Sequence, residues 1–276
     1  MRIVTNTAAL LTPEEGKKAG IEVIPVSVSL GNHSLRDYLD ISPSELAERL
    51  RSGEVAGTSQ PALSDVLEIL EGSDEETIML TVADGLSGEY LTALGVRKGL
   101  SYRDRIHIVN SRSLAAPLRH MAMKAAQLRD KGISAEEITS QLELMAHSTI
   151  SFVIPADFEY LNRSGRISQL TAKIGGALKV VPVLTQTQDR RRVTLMTVKR
   201  SRKLAAEAIL SRLKELGVGE KYMISVGYAD VRDFAMQLLE HIRGVFPSAG
   251  HEIYQLAPSL ITHGGPGCVV VQTVLK

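Results

Sequence analysis

Thr77-Ile78-Met79-Leu80-Thr81-Val82-Ala83 is a short apolar run. It is followed at once by Asp84-Gly85-Leu86-Ser87-Gly88-Glu89-Tyr90 and a helical stretch reaching residue 100. A buried strand, a glycine-rich turn and a helix in that order are the repeating unit of an α/β sheet. The same alternation extends in both directions. Strands are predicted at 2–5, 22–30 and 105–109, with helices at 44–51, 87–100, 114–131 and 135–147. Leu63, Val66, Leu67 and Leu70, at i, i+3, i+4 and i+7, mark one more helix. The first half therefore reads as a mostly parallel sheet covered on both faces.

From residue 150 the pattern changes. Strands are predicted at 150–154, 180–185, 193–198, 223–228, 252–255 and 268–275, with helices at 201–216 and 232–244. Two strands here follow one another across a short turn at 188–191, which implies a mixed sheet. The 276 residues suit two domains of roughly 100–150 residues, and the boundary is placed so that they span 1–149 and 150–276.

The bulk properties exclude several function classes. A net charge of +1 gives no electrostatic case for nucleic acid or an anionic membrane surface. With 4% aromatic residues and no Trp, stacking platforms for single strands are not expected. The single cysteine, Cys268, rules out a disulfide framework and fits a reducing compartment. There is no signal-like amino terminus and no run of about 18 apolar residues. The chain is read as soluble and cytoplasmic, without stable membrane insertion. The seven histidines are scattered without zinc spacing, and neither a dinucleotide nor a P-loop fingerprint is present. No cofactor or metal is expected.

Four segments carry candidate chemistry. In Thr58-Ser59-Gln60-Pro61, the hydroxyls read as N-caps and the proline as a first-turn residue, so a helix start there would offer N–H groups to an anion. In the turn after residue 83, Ser87 and the Gly88 amide are placed beyond the carboxyl end of a strand, where open α/β sheets bind ligands. Arg166, in Leu161-Asn162-Arg163-Ser164-Gly165-Arg166-Ile167-Ser168, could clamp a carboxylate or phosphate. His263 heads the turn His263-Gly264-Gly265-Pro266-Gly267 and could donate to an anion or move a proton. Each segment taken alone also reads as an ordinary cap, surface arginine or turn.

Together these segments resemble the DegV family, over nearly the whole chain and in the family's order. Thr5-Asn6-Thr7 stands for the family's T-D-S and Thr58-Ser59-Gln60-Pro61 for its T-S-Q-P. Leu86-Ser87-Gly88-Glu89-Tyr90 stands for L-S-G-T-Y, the segment 161–168 for L-x-x-G-G-R-I-S, and 263–267 for H-x-G-P-G. The resemblance implies a two-domain α/β fold with a long-chain fatty acid held between the domains. It further implies a lipid-binding subunit, not itself a catalyst, that presents the carboxylate to a separate ATP-dependent fatty acid kinase subunit. Carried over by position, Thr58, Ser59, Ser87 and Gly88 hold the carboxylate, with Arg166 and His263 beside it. Arg202, in Lys199-Arg200-Ser201-Arg202-Lys203, resembles an arginine linked to kinase engagement. A tail tunnel is expected along 172–184, with Gly175, Gly176 and Ala177 leaving room, and along the apolar face of 150–154.

The departures are Asn6 for aspartate, Glu89 for threonine, Ser164 for the first glycine of its motif, Val181-Pro182 for Lys-Pro, and Asn110-Ser111 for Asp-Ser. Glu89 is expected to weaken carboxylate binding unless it points away from the site. Two rivals stand beside the resemblance: a serine hydrolase or lipid phosphatase using Ser87 and His263, and a lipid-sensing regulator.

Overall fold

The computed structural model describes residues 1–156, 160, 163, 165 and 180–276. The chain runs β1 (Arg2–Asn6), α1 (Pro13–Lys18), β2 (Ile21–Ile24), β3 (Ser27–Leu30), β4 (His33–Arg36), α2 (Pro43–Arg51) and β5 (Ala56–Ser59). It continues with α3 (Leu63–Glu71), β6 (Thr77–Thr81), α4 (Glu89–Gly99), β7 (Ile106–Asn110), α5 (Ala116–Asp130) and α6 (Ala135–Ser148). The second half gives β8 (Ile150–Ile154), β9 (Val181–Gln186), β10 (Val193–Lys199), α7 (Arg202–Glu215), β11 (Tyr222–Tyr228), α8 (Arg232–Val245), β12 (Gly250–Gln255), α9 (Pro258–Gly264) and β13 (Val269–Leu275).

The sheets confirm the expected change of pattern. The first is parallel throughout, in the order β2-β1-β6-β7. The second is mixed, in the order β10-β9-β8-β13-β11-β12, with only β11 and β12 parallel. A third sheet, β4-β3-β5, is small and antiparallel and was not expected.

Pro25 creates it. The run 22–30 reads as one strand, but proline has no N–H to give a ladder. The chain breaks there, leaving β2 in the parallel sheet and sending β3 into the small one. Short elements with weak periodicity also escaped the sequence reading: α1, β4, β5 and α9. The first of these carries a capping box, in which the Glu15 N–H donates to the Thr12 hydroxyl and the Glu15 carboxylate accepts from the Thr12 N–H.

Three cores matter for the site. One lies between the parallel sheet and α5 and α6, and includes Val274 of β13. A second packs α7 and α8 on the mixed sheet. The third draws on both halves: Val28, Leu30, Leu46 and Leu50 meet Leu256, Ile261, Cys268 and Val270. No described helix is long and apolar enough to cross a membrane.

Candidate functional site

Thr58 arrives on a strand rather than a helix start. It pairs with Val28 near the end of β5, and Ser59 pairs with Ser27. The expectation that these hydroxyls cap a helix is corrected: α3 begins at Leu63, after Ala62, with no side-chain cap. Pro61 therefore ends the link from strand to helix instead of opening the helix. His263 also moves. It sits in the last turn of α9, not at the head of a loop. Pro258 starts this helix and Gly265 stops it at φ 77, where a Cβ would stand 2.4 Å from the Tyr160 ring.

These two elements bring Thr58 and His263 together. The Thr58 hydroxyl and His263 Nε2 share a hydrogen bond of 2.7 Å across 205 residues of chain. They sit at the edge of an apolar cavity of about 190 Å³. Its walls include Val82 and Leu86 from the first half and Val153, Leu184 and Val270 from the second. Ser59 and Ser87 line the same space. A smaller polar cavity of about 130 Å³, reached by Tyr160 and Arg163, lies against Thr58 and His263 as well.

Ser87 stands just before α4, whose N-cap is Gly88. The Ser87 hydroxyl accepts from the Glu89 N–H at 3.2 Å. Among the described residues none accepts from the Gly88 amide, which leaves a donor at the helix start. The loop is pressed against the turn between β9 and β10. A Cβ at Gly85 would meet the Arg191 carbonyl at 2.1 Å, and Asp84 pairs with Arg191 at 3.0 Å.

Ser87 and His263 thus have different partners. A nucleophile pair of the hydrolase kind needs the serine on the imidazole, whereas here Nε2 meets Thr58 and the serine meets an amide. Cys268 lines the cavity too, but burial pushes its thiol up to about 12, so it stays protonated and unreactive.

Arg202 does not line the cavity. Its guanidinium donates to the Gly267 carbonyl at 2.9 Å and lies over the Phe234 ring. Arg166 lies outside the described residues, as do 172–179 of the expected tunnel. Leu184 of the expected tunnel lines the cavity, but the apolar face of 150–154 does not: Phe152 and Ile154 pack into the core under α7 and α8, and Ser151 and Val153 on the opposite face of the strand line the cavity instead.

Glu89 is not beside the cavity as a free charge. It is 1% exposed and accepts from Asn6 Nδ2 at 2.5 Å. Burial raises its carboxyl to about 7.

Several lining residues escaped the sequence reading. Gln272 is held by the Leu114 carbonyl and the Ser151 hydroxyl, and its own carbonyl accepts from the Ala116 N–H. A lone amide in the apolar run of β13 was the available signal. Ser259 is bound through its N–H and hydroxyl to buried Asp37, whose carboxyl burial pushes up to about 6. No local pattern announces that pair.

A parallel sheet, a mixed sheet and a small antiparallel sheet that together enclose an apolar cavity, with hydroxyls and an imidazole in its lining, define an α/β protein with an interior cavity between the two halves of the chain. The model of the uncharacterised DegV protein family matches residues 1–276, and the chain belongs to the DegV family. A DegV domain-containing protein of Staphylococcus aureus is 27% identical over 278 residues, covering 99% of this chain and 98% of the relative. A DegV family protein from Thermus thermophilus, solved for its fatty acid binding, superposes with a TM-score of 0.88 at 26% identity, over 100% of both chains. DegV of Bacillus subtilis, a fatty acid binding protein, gives 0.86 at 24% identity over 100% of this chain and 99% of that one, a likeness of fold.

Proposed function

We propose that this protein binds a long-chain fatty acid, with the carboxylate at Thr58, Ser87, the Gly88 N–H and His263 and the tail in the apolar cavity. Ser59 and Arg166 complete the head-group end in this reading. The half 1–149 supplies Thr58, Ser59, Ser87 and Gly88, the half 150–276 supplies Arg166 and His263, and both halves wall the tail. The observation that carries the reading is the Thr58–His263 hydrogen bond at the mouth of an apolar cavity. The fatty acid binding of the Thermus thermophilus relative supports it.

The energetics suit such a ligand. Burying about 14–16 methylenes contributes on the order of 11–13 kcal/mol gross, and ordering costs remove several kcal/mol of that. The tail then supplies most of the affinity. The polar mouth orients the carboxylate and avoids an unpaired buried charge.

The finer proposal is that the protein does no chemistry alone. It presents the carboxylate to a separate ATP-dependent kinase subunit, with Arg202 on the face that engages it. Native mass spectrometry before and after organic extraction is expected to show at most one fatty acid per chain, lost on extraction. Ser87→Ala and Thr58→Ala are each expected to cut acyl phosphate formation by about tenfold, the loss of one hydrogen bond to a charged group, while leaving the melting temperature within a few degrees. Full activity in both variants counts against the head-group assignment.

A further inference from the structure

Asn6 and Glu89, two departures from the family motifs, form one buried pair. Asn6 ends β1 and is 0% exposed, and Glu89 opens α4. The Ala8 N–H donates to Asn6 Oδ1 at 2.8 Å, which fixes the amide orientation and turns its NH₂ toward Glu89. Nδ2 then donates to Glu89 Oε2, and the Val82 N–H donates to the same oxygen at 3.2 Å. The other oxygen, Oε1, is buried with no partner among the described residues.

Among the described residues no neighbouring charge offsets this carboxyl. The elements packed on α4 bring Asp65, Glu68 and Glu71 from α3, His107 from β7, and Arg103, Asp104 and Arg105 from the turn before β7. None of them shifts Glu89, whose environment is set by burial and by the donors from Asn6 and Val82. Asp84, in the adjoining loop, is paired outward with Arg191. Burial holds the carboxyl near 7, so both of its forms are populated at neutral pH. Because Oε2 already accepts two N–H groups, a proton resides on Oε1.

The pair stands directly behind the candidate head-group site. Asn6 lines the cavity, and the Glu89 N–H is the donor to Ser87. A carboxylate arriving at Ser87 therefore faces a second carboxyl one layer back, and two like charges in a poorly hydrated site do not both ionise cheaply. We infer that Glu89 is a positioning residue that sets the charge of the wall behind the head group, taking one proton from solvent onto Oε1 as an anionic ligand enters. The bound state is a neutral Glu89 acid, hydrogen-bonded to Asn6, behind an ionised ligand. This inference rests on the fatty-acid reading above.

The test is calorimetric titration of wild type and Glu89→Gln with monomeric dodecanoate, in two buffers of different ionisation enthalpy. Glutamine keeps the acceptor for Asn6 and Val82 and mimics the neutral acid. At pH 7 the wild type is expected to take up about half a proton per ligand, and Glu89→Gln at least severalfold less. Wild-type affinity is expected to fall by up to about tenfold per pH unit above 7, while Glu89→Gln at pH 8 binds as wild type does at pH 6. Equal uptake in the two proteins, or wild-type affinity that is flat from pH 6 to 8, overturns the inference while leaving the lipid reading standing. The wild-type arm alone decides if Glu89→Gln is poorly folded. Folded protein that gives no binding heat in either form sinks the lipid reading itself, and this inference with it.

Discussion

Asp37 and Glu89 are both buried carboxyls with no cation paired to them among the described residues, and each ties down one of the two segments that form the cavity mouth. Asp37 follows β4 and holds Ser259, one turn before His263 on α9, with both oxygens engaged: Oδ1 takes the Ser259 N–H at 3.2 Å and Oδ2 takes its hydroxyl at 2.6 Å. Glu89 holds β1 to the start of α4, next to Ser87, with one oxygen doubly engaged and the other bare. The two environments differ in hydrogen bonding more than in burial. Burial raises both, Asp37 to about 6 and Glu89 to about 7, against donors that favour the ionised form of each, so the two differ in how the donors are spread over the oxygens and not in the size of the shift. A fully engaged carboxyl works as an anchor, whereas one with a bare oxygen has room for a proton.

The largest effect that can break this contrast is Asp37→Ala. It strands the Ser259 N–H and hydroxyl in the interior and frees the helix that carries His263. A loss of about 3 kcal/mol is expected, read as a lower urea midpoint. An unchanged midpoint would remove Asp37 as an anchor.

The second effect is on pH dependence. Both carboxyls are raised above their ordinary values, so the folded state binds protons more tightly than the unfolded one. The resulting stability is full below about pH 4 and is lost as pH rises through about 6 for Asp37 and about 7 for Glu89. Glu89→Gln is therefore expected to gain on wild type between pH 5 and 8, by about 2–3 kcal/mol at most, and the melting temperature measured across that range shows it. Asp37→Asn should show its own gain mainly between pH 4 and 6. A variant that loses ground to wild type as pH rises contradicts the sign.

The smallest effect sharpens the anchor side alone. Arg202→Ala removes a partly buried donor from the Gly267 carbonyl, just past α9, for about 1 kcal/mol. A shift of only a few degrees in melting temperature is expected. Loss of the fold would mean that the turn depends on this arginine far more than one hydrogen bond allows.

The sequence made the two sheet types legible because strand–turn–helix alternation and back-to-back strands are local patterns. It did not disclose the small sheet, since β4 and β5 are four residues each and carry no period strong enough to read. The motif residues were legible as a set, and Thr58, Ser87 and His263 do line one space. Hydroxyls before a proline resemble a helix cap, and only the pairing of β5 with β3 reveals that Thr58 lies on a strand. Glu89 was legible as an oddity but not as half of a pair. Its partner lies 83 residues away, and nothing in the chain marks a contact of that range. Asp37 and Ser259, 222 residues apart, were invisible for the same reason.

The bond between Thr58 and His263 has a thermodynamic corollary. Each half of the chain owns only one of its ends, so neither half formed by itself possesses the mouth. A guest seated there discriminates between the completed molecule and every partly assembled form. It lowers the free energy of the former alone, by an amount that grows with the logarithm of its concentration. Under the proposed function, occupancy would weld the two halves of the chain into a single cooperative unit, and the ligand would double as a report on finished assembly.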